Sequence, residues 1–481
     1  MDNRLLTLEC PFNWNLEQWD SKRCLFFKLL ANLNDNESMY YFQHFVFYIL
    51  CIYLATAKRS IEEGWNILIS YEYFFGCLIA DERMSSYKTA FKHIVWSCLA
   101  FVLFYMKKED ELNTVLNKIP PLDTIDDKNR AAILAVRAAL MHEFGPNALS
   151  IEMTREALAL DPDQAEWWHL HGKGLQRYRK YARRYDIPSD EELRCAEKAV
   201  QMYPKSPLYM VLLARSYAET VVHIFYEYPK IPPELKDVYY KMNMAVLQLL
   251  KTAKELGSDS WHVLYRCGFV YLKLPKPYKN RLEAIRCLEN AHKIRPREAT
   301  INHHLGTAYG LSGMFREAVN YLEKALQDNI YGALLDFVRY TLKFNDSFNV
   351  TKFLDENYEK FTNDERADLL CQKGSYLIIV ERNISEGLNC YLKAMKVTDN
   401  VYLLERHLPV IALHFVEFGK TRKLSVYELS MHLVRRMKTH YVPVWINEQE
   451  LYSVIKKLYP KGIKDTVDPP ITYVLNILGL L

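Results

Sequence analysis

Glycine, paired cysteines and catalytic motifs are scarce or missing in this chain of 481 residues. Only 16 residues are glycine, and no glycine-rich phosphate loop, HExxH or GxSxG motif occurs. The ten cysteines include no CxxC pair and no histidine stands at the spacing of a zinc ligand. We therefore predict a protein that is not an enzyme and that carries no metal or cofactor.

Long apolar runs are also missing. Two uncharged runs, 45–57 and 94–106, have thirteen residues each, whereas a membrane-spanning helix needs roughly 18 to 20. The N-terminal sequence lacks the apolar segment of a signal peptide. We predict buried helices, no membrane contact and a cytoplasmic location in which the cysteines stay reduced.

Charge of either sign is only weakly in excess. The formal net charge is +4, which permits an anionic partner without requiring one. Half of the residues are hydrophobic and 34 are tyrosine, a composition typical of a folded chain and not of a disordered one. Because the net charge does not indicate a binding surface, only local clusters of charged residues can do so.

The clearest repeat lies in residues 299–325. Counting Ala299 as position 1, leucine and glycine occupy positions 7 and 8, tyrosine 11, alanine 20, leucine 24 and alanine 27. This is the tetratricopeptide pattern, in which small residues let two antiparallel helices approach closely. One such unit cannot bury its apolar face alone, so the pattern predicts an all-α tetratricopeptide-repeat superhelix, an α-solenoid.

Weaker repeats fill much of the remaining chain, with insertions near 187–189 and 273–280. The predicted helix pairs include 40–57 with 61–73, 87–106 with 109–119, and 235–256 with 261–271. The predicted division of the chain is an N-terminal cap (1–38), an N-terminal tetratricopeptide subdomain (39–234), middle repeats (235–330) and C-terminal helical repeats (331–481).

The strongest candidate for a binding surface is the run 176–185, QRYRKYARRY. At helical spacing Arg177, Lys180 or Tyr181, and Arg184 share one face, and the run also contains Arg179. Guanidinium groups suit phosphate oxygens, and tyrosine rings stack on bases. The run therefore indicates an RNA or other polyanion site, and the alternative is a solvated basic helix face without a ligand.

First helices of successive repeats line the same inner surface of a superhelix. Residues that are distant in sequence can therefore converge there. We predict that Arg137, Arg177, Arg266 and His303 meet around a central basic channel.

Several short motifs resemble the interferon-induced proteins with tetratricopeptide repeats. That family begins with a Leu-x-Cys-x-Phe-x-Trp signature, which residues 8–14 reproduce. The resemblance covers most of residues 8–330. Further matches are Trp96 with 104–106, Asp161 and Pro162 with Glu166 and Arg177, Val211 to Ala214, and His303 and His304 before Gly306.

The resemblance implies an interferon-induced protein of antiviral innate defence, with a positively charged tunnel. Such proteins bind the 5′ end of single-stranded RNA, triphosphorylated or capped, and block translation of foreign transcripts; oligomers with themselves or with relatives are possible partners. By the same resemblance, Arg177 contacts the terminal phosphates and Glu166 lines the pocket for a cap base. Tyr265 or Arg266, and His303 or His304, hold the following nucleotides.

The chain departs from the family at the cap pocket. Where cap-binding relatives carry a stacking tryptophan and a phosphate-binding lysine, it has Ala138 and His142, with Arg137 beside them. Trp167 or Trp168 would have to replace the missing ring. Arg23 is the candidate for the phosphate contact that relatives make from their N-terminal region.

A second class of function fits the same repeats. In a protein-interaction scaffold, the grooves of the solenoid hold peptides or sister proteins and no RNA enters, and some relatives act chiefly in this way. Co-purified nucleic acid, seen in the absorbance at 260 and 280 nm, would favour RNA binding over the scaffold.

Overall fold

The computed structural model describes residues 3–16, 41–144, 148–182, 187–228 and 231–398. Throughout these ranges the regular elements are α-helices and short 3-10 turns. Arg23, residues 183–185 of the predicted basic run and everything after 398 lie outside them.

Nineteen α-helices occur in the described part of the chain. The first ten are α1 (Tyr41–Lys58), α2 (Ile61–Leu68), α3 (Tyr71–Ala80), α4 (Lys88–Tyr105), α5 (Glu109–Leu116), α6 (Asp127–Phe144), α7 (Ala148–Leu160), α8 (Ala165–Ala182), α9 (Asp190–Met202) and α10 (Pro207–Glu227). The others are α11 (Pro233–Leu256), α12 (Trp261–Lys273), α13 (Arg281–Ile294), α14 (Ala299–Leu311), α15 (Phe315–Leu326), α16 (Tyr331–Thr341), α17 (Val350–Asn357), α18 (Asn363–Ile379) and α19 (Ile384–Val397).

Consecutive helices form packed pairs, as the repeat pattern predicts. Pairs include α6 with α7, α8 with α9, α12 with α13 and α14 with α15. The first helices of successive pairs also touch, since α6 packs on α8, α8 on α10 and α10 on α12. The predicted all-α tetratricopeptide architecture is confirmed.

Glycines at the helix crossings set the close approach within pairs. A Cβ added to Gly268 would lie 2.6 Å from Leu288 Cγ, and one added to Gly306 would lie 2.6 Å from Leu322 Cγ. Gly172 and Gly374 meet the second helix of their own pairs in the same way, with nearest atoms at 3.1 and 2.8 Å. Any larger residue would separate the paired helices, because the interior is close-packed.

One predicted helix is in fact two. The segment 61–73 was expected to be continuous, but α2 ends at Leu68 and α3 begins at Tyr71. Ser70 leaves helical geometry with ψ near 8°, and its hydroxyl donates to the Ile67 carbonyl at 2.6 Å. Serine competes for backbone hydrogen bonds in this way and so favours helix ends.

Residues 3–16 are packed against α1 and α4. Leu5, Cys10 and Trp14 are buried in the same core as these helices, and the Phe12 ring stacks on Phe101 at 5.0 Å. The uncharged run 45–57 lies within α1, the run 94–106 extends one residue beyond the end of α4, and both runs are largely buried. Within the described ranges no helix is both long and apolar enough to span a bilayer.

The chain divides into two compact units, Met1–Arg295 and Pro296–Leu481. The four-part division drawn from the sequence stays a prediction.

Nine cysteines fall in the described ranges, all of them unbridged and all but Cys77 buried. Burial raises the pKa of Cys51 to about 12, so such thiols pack as small apolar groups.

Candidate functional site

One stripe of α8 carries four ionisable side chains. Glu166, His169, Lys173 and Arg177 follow each other at intervals of three, four and four residues. Residues at these spacings lie on the same helix face. Because α8 touches α6 and α10, and α10 in turn touches α12, this stripe lies among the first helices of adjacent pairs.

Side chains from two other first helices join the stripe. Lys173 and Arg266 of α12 interact electrostatically, and Lys173 and Arg177 both act on His142 of α6. His262, one turn before Arg266, also interacts with Lys173. We call this set the inner basic cluster: His142, His169, Lys173, Arg177, His262 and Arg266.

Lys173 has an unusual environment. Its surface is half-buried, yet its ammonium group is strongly desolvated. Burial and repulsion from Arg177 and Arg266 lower the pKa of Lys173 to about 8, against the attraction of Glu143 and Glu166.

The cations of the inner basic cluster lack compensating contacts. Among the residues that the structure describes, Lys173, Arg177 and Arg266 make no salt bridge and no hydrogen bond. Three cations that repel one another and form no salt bridge favour a bound anion, although Glu143 and Glu166 attract Lys173 from a greater distance. Perturbed groups of this kind are markers of functional sites.

The three histidines of the cluster are held neutral. Burial, with the charges of Lys173 and Arg177, keeps the pKa of His142 well below its usual value. His142 is 1 % exposed, and neither ring nitrogen has a partner among the described residues. A Cβ at position 174 would lie 2.8 Å from His142 Nε2, so Gly174 gives the ring its space. A neutral imidazole can donate and accept one hydrogen bond each.

Glu166 is engaged by the protein itself. The Tyr209 hydroxyl donates to Glu166 Oε2 at 2.6 Å, and Arg83 Nη1 donates to the Tyr209 oxygen at 3.4 Å. Burial raises the pKa of Glu166, although the Tyr209 hydrogen bond and the Arg83 charge act in the opposite direction. The predicted cap-base residue therefore sits in a buried polar network at the end of the stripe.

Arg179 and Lys180 lie in a different setting. Arg179 Nε is 2.8 Å from Glu192 Oε2 and its Nη2 is 2.6 Å from Glu219 Oε2. Lys180 also pairs with Glu219, and Arg215 Nε approaches Glu219 at 3.1 Å. We call these five residues the ion-pair network. Burial disfavours the Glu219 carboxylate, but Lys180 and Arg215 outweigh it and lower the pKa of Glu219 to about 2.

Arg137 contacts the N-terminal segment. Its Nη1 is 3.7 Å from Glu9 Oε2, and its guanidinium lies 5.9 Å from the centre of the Trp14 ring. Trp14 Nε1 donates to the same Glu9 carboxylate at 2.6 Å. The structure thus ties Arg137 to the Leu-x-Cys-x-Phe-x-Trp signature, and no described interaction joins it to Lys173, Arg177 or Arg266.

Tyr265, the residue before Arg266, is part of an aromatic group on α12. Its ring centre is 6.0 Å from that of Trp261, and the His262 ring stacks on Trp261 at 3.6 Å. This group adjoins the inner basic cluster through His262.

His303 and His304 belong to the second compact unit. His303 Nε2 is 3.5 Å from Asp336 Oδ2, which also accepts from the Thr307 hydroxyl at 2.7 Å. Against the effect of burial, these two hydrogen-bond partners lower the pKa of Asp336. The predicted convergence of His303 with the arginines of the first unit stays a prediction.

The tryptophans proposed to replace the cap-stacking ring occupy packing positions. Trp167 is 0 % exposed, and its indole nitrogen donates to Asp161 Oδ2 at 3.2 Å. Trp168 donates to the Pro162 carbonyl oxygen at 2.8 Å and packs against the core. Ala138, which stands where relatives carry the stacking ring, is buried as well.

Sequence reasoning selected Arg177, Arg266 and His142 and missed Lys173, His169 and His262. A signal for the missed residues was present. Counting back from Arg177 in steps of four gives Lys173 and His169, and counting back four from Arg266 gives His262. The basic and tyrosine-rich run 176–185 begins after Lys173, so a prediction based on that run does not include the missed residues.

The fold is similar to solved structures of IFIT1, an interferon-induced protein with tetratricopeptide repeats. A human IFIT1 dimer with PPP-AAAA is 16% identical, with a TM-score of 0.62, over 95% of this chain and 98% of that one. The human dimer with m7Gppp-AAAA is 16% identical, with a TM-score of 0.64, over 99% of each chain. A monomeric IFIT1 mutant with Gppp-AAAA is 17% identical, with a TM-score of 0.63, over 96% of this chain and 99% of that one.

The chain has an IFIT-like fold. No family model matches the sequence, and no curated protein matches it. At this low identity the likeness extends to the fold of IFIT1 and not to its ligands, so the site of this protein must be argued from its own side chains.

Proposed function

We propose that this protein binds the 5′ end of single-stranded RNA, and that the inner basic cluster holds the terminal phosphates. One observation supports the proposal: Lys173, Arg177 and Arg266 interact within one cluster, and none of them forms a salt bridge to a described residue. A phosphate chain would supply the missing negative charge and accept hydrogen bonds from both guanidinium groups.

The IFIT1 structures of similar fold contain PPP-AAAA, m7Gppp-AAAA or Gppp-AAAA. These ligands support an RNA end as the anion. His142, His169 and His262 complement the cations, because neutral imidazoles can bind hydroxyl groups or phosphate oxygens without adding repulsion. Tyr265, which is half-buried on α12, is suited to stack on a nucleotide that follows.

Among RNA ends, we favour the 5′-triphosphate over the cap. A cap base is held largely by stacking, which is worth about 1 to 3 kcal/mol per base. Trp167 and Trp168 are committed to packing, and Glu166 is already bonded to Tyr209. A triphosphate is held chiefly by cations, and Lys173, Arg177 and Arg266 supply three of them.

Binding without catalysis is sufficient for an antiviral role. A protein that retains the 5′ ends of foreign transcripts in the cytoplasm would block their translation by sequestration. We infer such a non-enzymatic role from the cationic site together with the family signature of residues 8–14.

The decisive experiment is fluorescence anisotropy with a short single-stranded RNA carrying a 5′-triphosphate, a cap or a 5′-hydroxyl. Wild type should bind the triphosphate at least about tenfold more tightly than either other end. Arg177→Glu should weaken triphosphate binding by about 100-fold, because it introduces a negative charge beside the phosphates.

Lys205→Glu is the matched control, because it makes the same charge change at an exposed position of the same unit. Its affinity should equal that of wild type within a factor of two or so at moderate salt. Equal losses for the two variants would mean that only net charge matters and would refute the assigned site. Stronger binding of capped RNA would reject the triphosphate preference.

A further inference from the structure

The connection between α12 and α13 carries a second concentration of positive charge, apart from the inner basic cluster. Residues 273–281 read Lys-Leu-Pro-Lys-Pro-Tyr-Lys-Asn-Arg, so four cations and no acid fall within nine residues. We call this segment the basic loop. It contains the insertion 273–280 that interrupts the repeat pattern, and insertions in repeat proteins form loops on one face, often the binding face.

The basic loop is fixed to the body of the protein. Leu274 is 0% exposed, and the Lys279 N–H donates to the Pro275 carbonyl oxygen at 3.0 Å. The Tyr278 ring meets the Tyr239 ring of α11 edge-on, with the ring centres 6.2 Å apart. The charged side chains of the loop are therefore attached to an anchored backbone.

Three of the four cations have no partner within the described ranges. Lys276 and Arg281 are exposed and Lys279 is half-buried, and none of these side chains forms a salt bridge or hydrogen bond there. Partial burial, with repulsion from Arg281 and Lys276, lowers the pKa of Lys279. The fourth cation, Lys273, lies over the Phe269 ring at 5.1 Å.

The acid that follows the loop most closely in sequence is already engaged. Glu283 Oε2 accepts from Lys254 Nζ at 2.7 Å, and its Oε1 accepts from Arg286 Nη1 at 2.7 Å. Its backbone N–H donates to the Asn280 side chain at 3.0 Å, which caps α13. Because Glu283 is shared by these two cations, the charge of the basic loop remains available to an anion from outside.

We propose that the basic loop binds the phosphate backbone of single-stranded RNA downstream of the 5′ end. This role rests on the proposed function and extends the binding site along the strand. Two observations favour RNA over an acidic protein segment. The loop begins at Lys273, seven residues after Arg266 on the same helix, or about 10 Å along its axis. Tyr278 also stands between Lys276 and Lys279, and cations interleaved with a ring suit a single strand.

Two uridine oligonucleotides with a 5′-triphosphate, four and twelve nucleotides long, test the proposal by fluorescence anisotropy with the full chain. Wild type should bind the 12-mer at least about tenfold more tightly than the 4-mer. A variant that combines Lys276→Gln, Lys279→Gln and Arg281→Gln should lose this gain and bind the 4-mer as wild type does. Its slope of log Kd against log salt concentration for the 12-mer should fall by about two, because each phosphate contact with a single strand contributes about 0.7.

The matched control combines Lys118→Gln, Lys128→Gln and Lys205→Gln, which removes the same charge from exposed positions of the same compact unit. This variant should keep the gain with the 12-mer. Equal losses in the two triple variants would mean that only net charge matters and would overturn the proposal. Weaker binding of the 4-mer by the loop variant would place the loop at the 5′ end and contradict a downstream contact.

Two further outcomes separate the role of the loop from the proposed function. Preference for the triphosphate over a 5′-hydroxyl in the 4-mer, without any gain from length, would overturn this inference and leave the proposed function standing. A loop-dependent gain from length, with equal affinity for triphosphate and 5′-hydroxyl ends, would do the reverse. Loop-dependent binding of a fluorescent hexaglutamate peptide, with no gain from RNA length, would assign the loop to acidic protein segments instead.

Discussion

Two sets of cations on α8 are held in opposite ways. In one set, Lys173 and Arg177 form no salt bridge with a described residue. In the other, Arg179 and Lys180 are neutralised by Glu192 and Glu219. The two sets are adjacent in sequence, but the acids stand 13 and 40 residues beyond Arg179. A basic run is therefore not a binding surface as a whole, because distant carboxylates decide which of its charges remain available.

The largest effect should come from breaking the ion-pair network. Arg179→Ala leaves Glu192 buried without its partner, so we expect the free energy of unfolding to fall by about 3 to 5 kcal/mol. Urea denaturation followed by circular dichroism measures this change. RNA affinity of the folded variant should stay near that of wild type, and a loss of affinity without a loss of stability would place Arg179 in the RNA site instead.

A milder change separates the two sets by function. Arg266→Gln should lower the affinity for triphosphate RNA by about tenfold. The slope of log Kd against log salt concentration should also fall by about one, which corresponds to the loss of one phosphate contact. Arg215→Gln, in the ion-pair network, should leave both quantities unchanged. A salt series of anisotropy titrations gives the two slopes, and equal slopes for the two variants would remove the distinction.

The inner basic cluster should also make binding depend on pH. Phosphate favours charged Lys173, whose pKa in the unliganded protein is about 8. Below that value the amine is already charged, and above it binding must take up a proton. The affinity should therefore fall by up to about tenfold per pH unit between about pH 8 and 9.5. Lys173→Arg should lack this fall, and a wild-type profile that stayed flat would contradict the assigned charge state.

The smallest effect concerns stability. Folding lowers the pKa of Lys173 from 10.5 to about 8, so the folded state binds fewer protons between these values and gains stability as pH rises through them. Below pH 8 Lys173 is charged in both the folded and the unfolded state, so the full cost of burying that charge reduces the stability of the fold. Lys173→Met should then raise the free energy of unfolding by on the order of 1 kcal/mol, since water screens part of the repulsion. Denaturation at pH 7 and pH 10 should show that Lys173→Met gains less stability over wild type at pH 10 than at pH 7. A variant less stable than wild type at pH 7 would indicate instead that the Lys173 ammonium makes a stabilising contact.

The repeat architecture could be predicted from sequence because its determinants are local. Leu305, Gly306 and Leu322 stand at fixed spacing, and each lies at the packed crossing that this spacing requires. The break at Ser70 was missed because a single serine decides it through a hydrogen bond to a backbone carbonyl. Neither helical periodicity nor apolar spacing carries that information.

The candidate site was predicted only in part. Arg177 and Arg266 both interact with Lys173, as alignment of successive first helices predicts, while their role in binding stays a prediction. The pairing of Arg179 with Glu192 and Glu219, and of Arg137 with Glu9, depends on which helix faces meet. Such contacts between distant segments cannot be derived from the spacing of a single basic run.

The crossing glycines have a consequence for how the protein can be redesigned. Gly172 and Gly268 fix how near each first helix lies to its partner, while Lys173, Arg177 and Arg266, which we propose to bind the ligand, occupy nearby positions of the same helices. Helix spacing and the proposed binding of an anion thus depend on different residues. An engineer could exchange Lys173, Arg177 or Arg266 to accept a different anion and still keep the spacing of the scaffold.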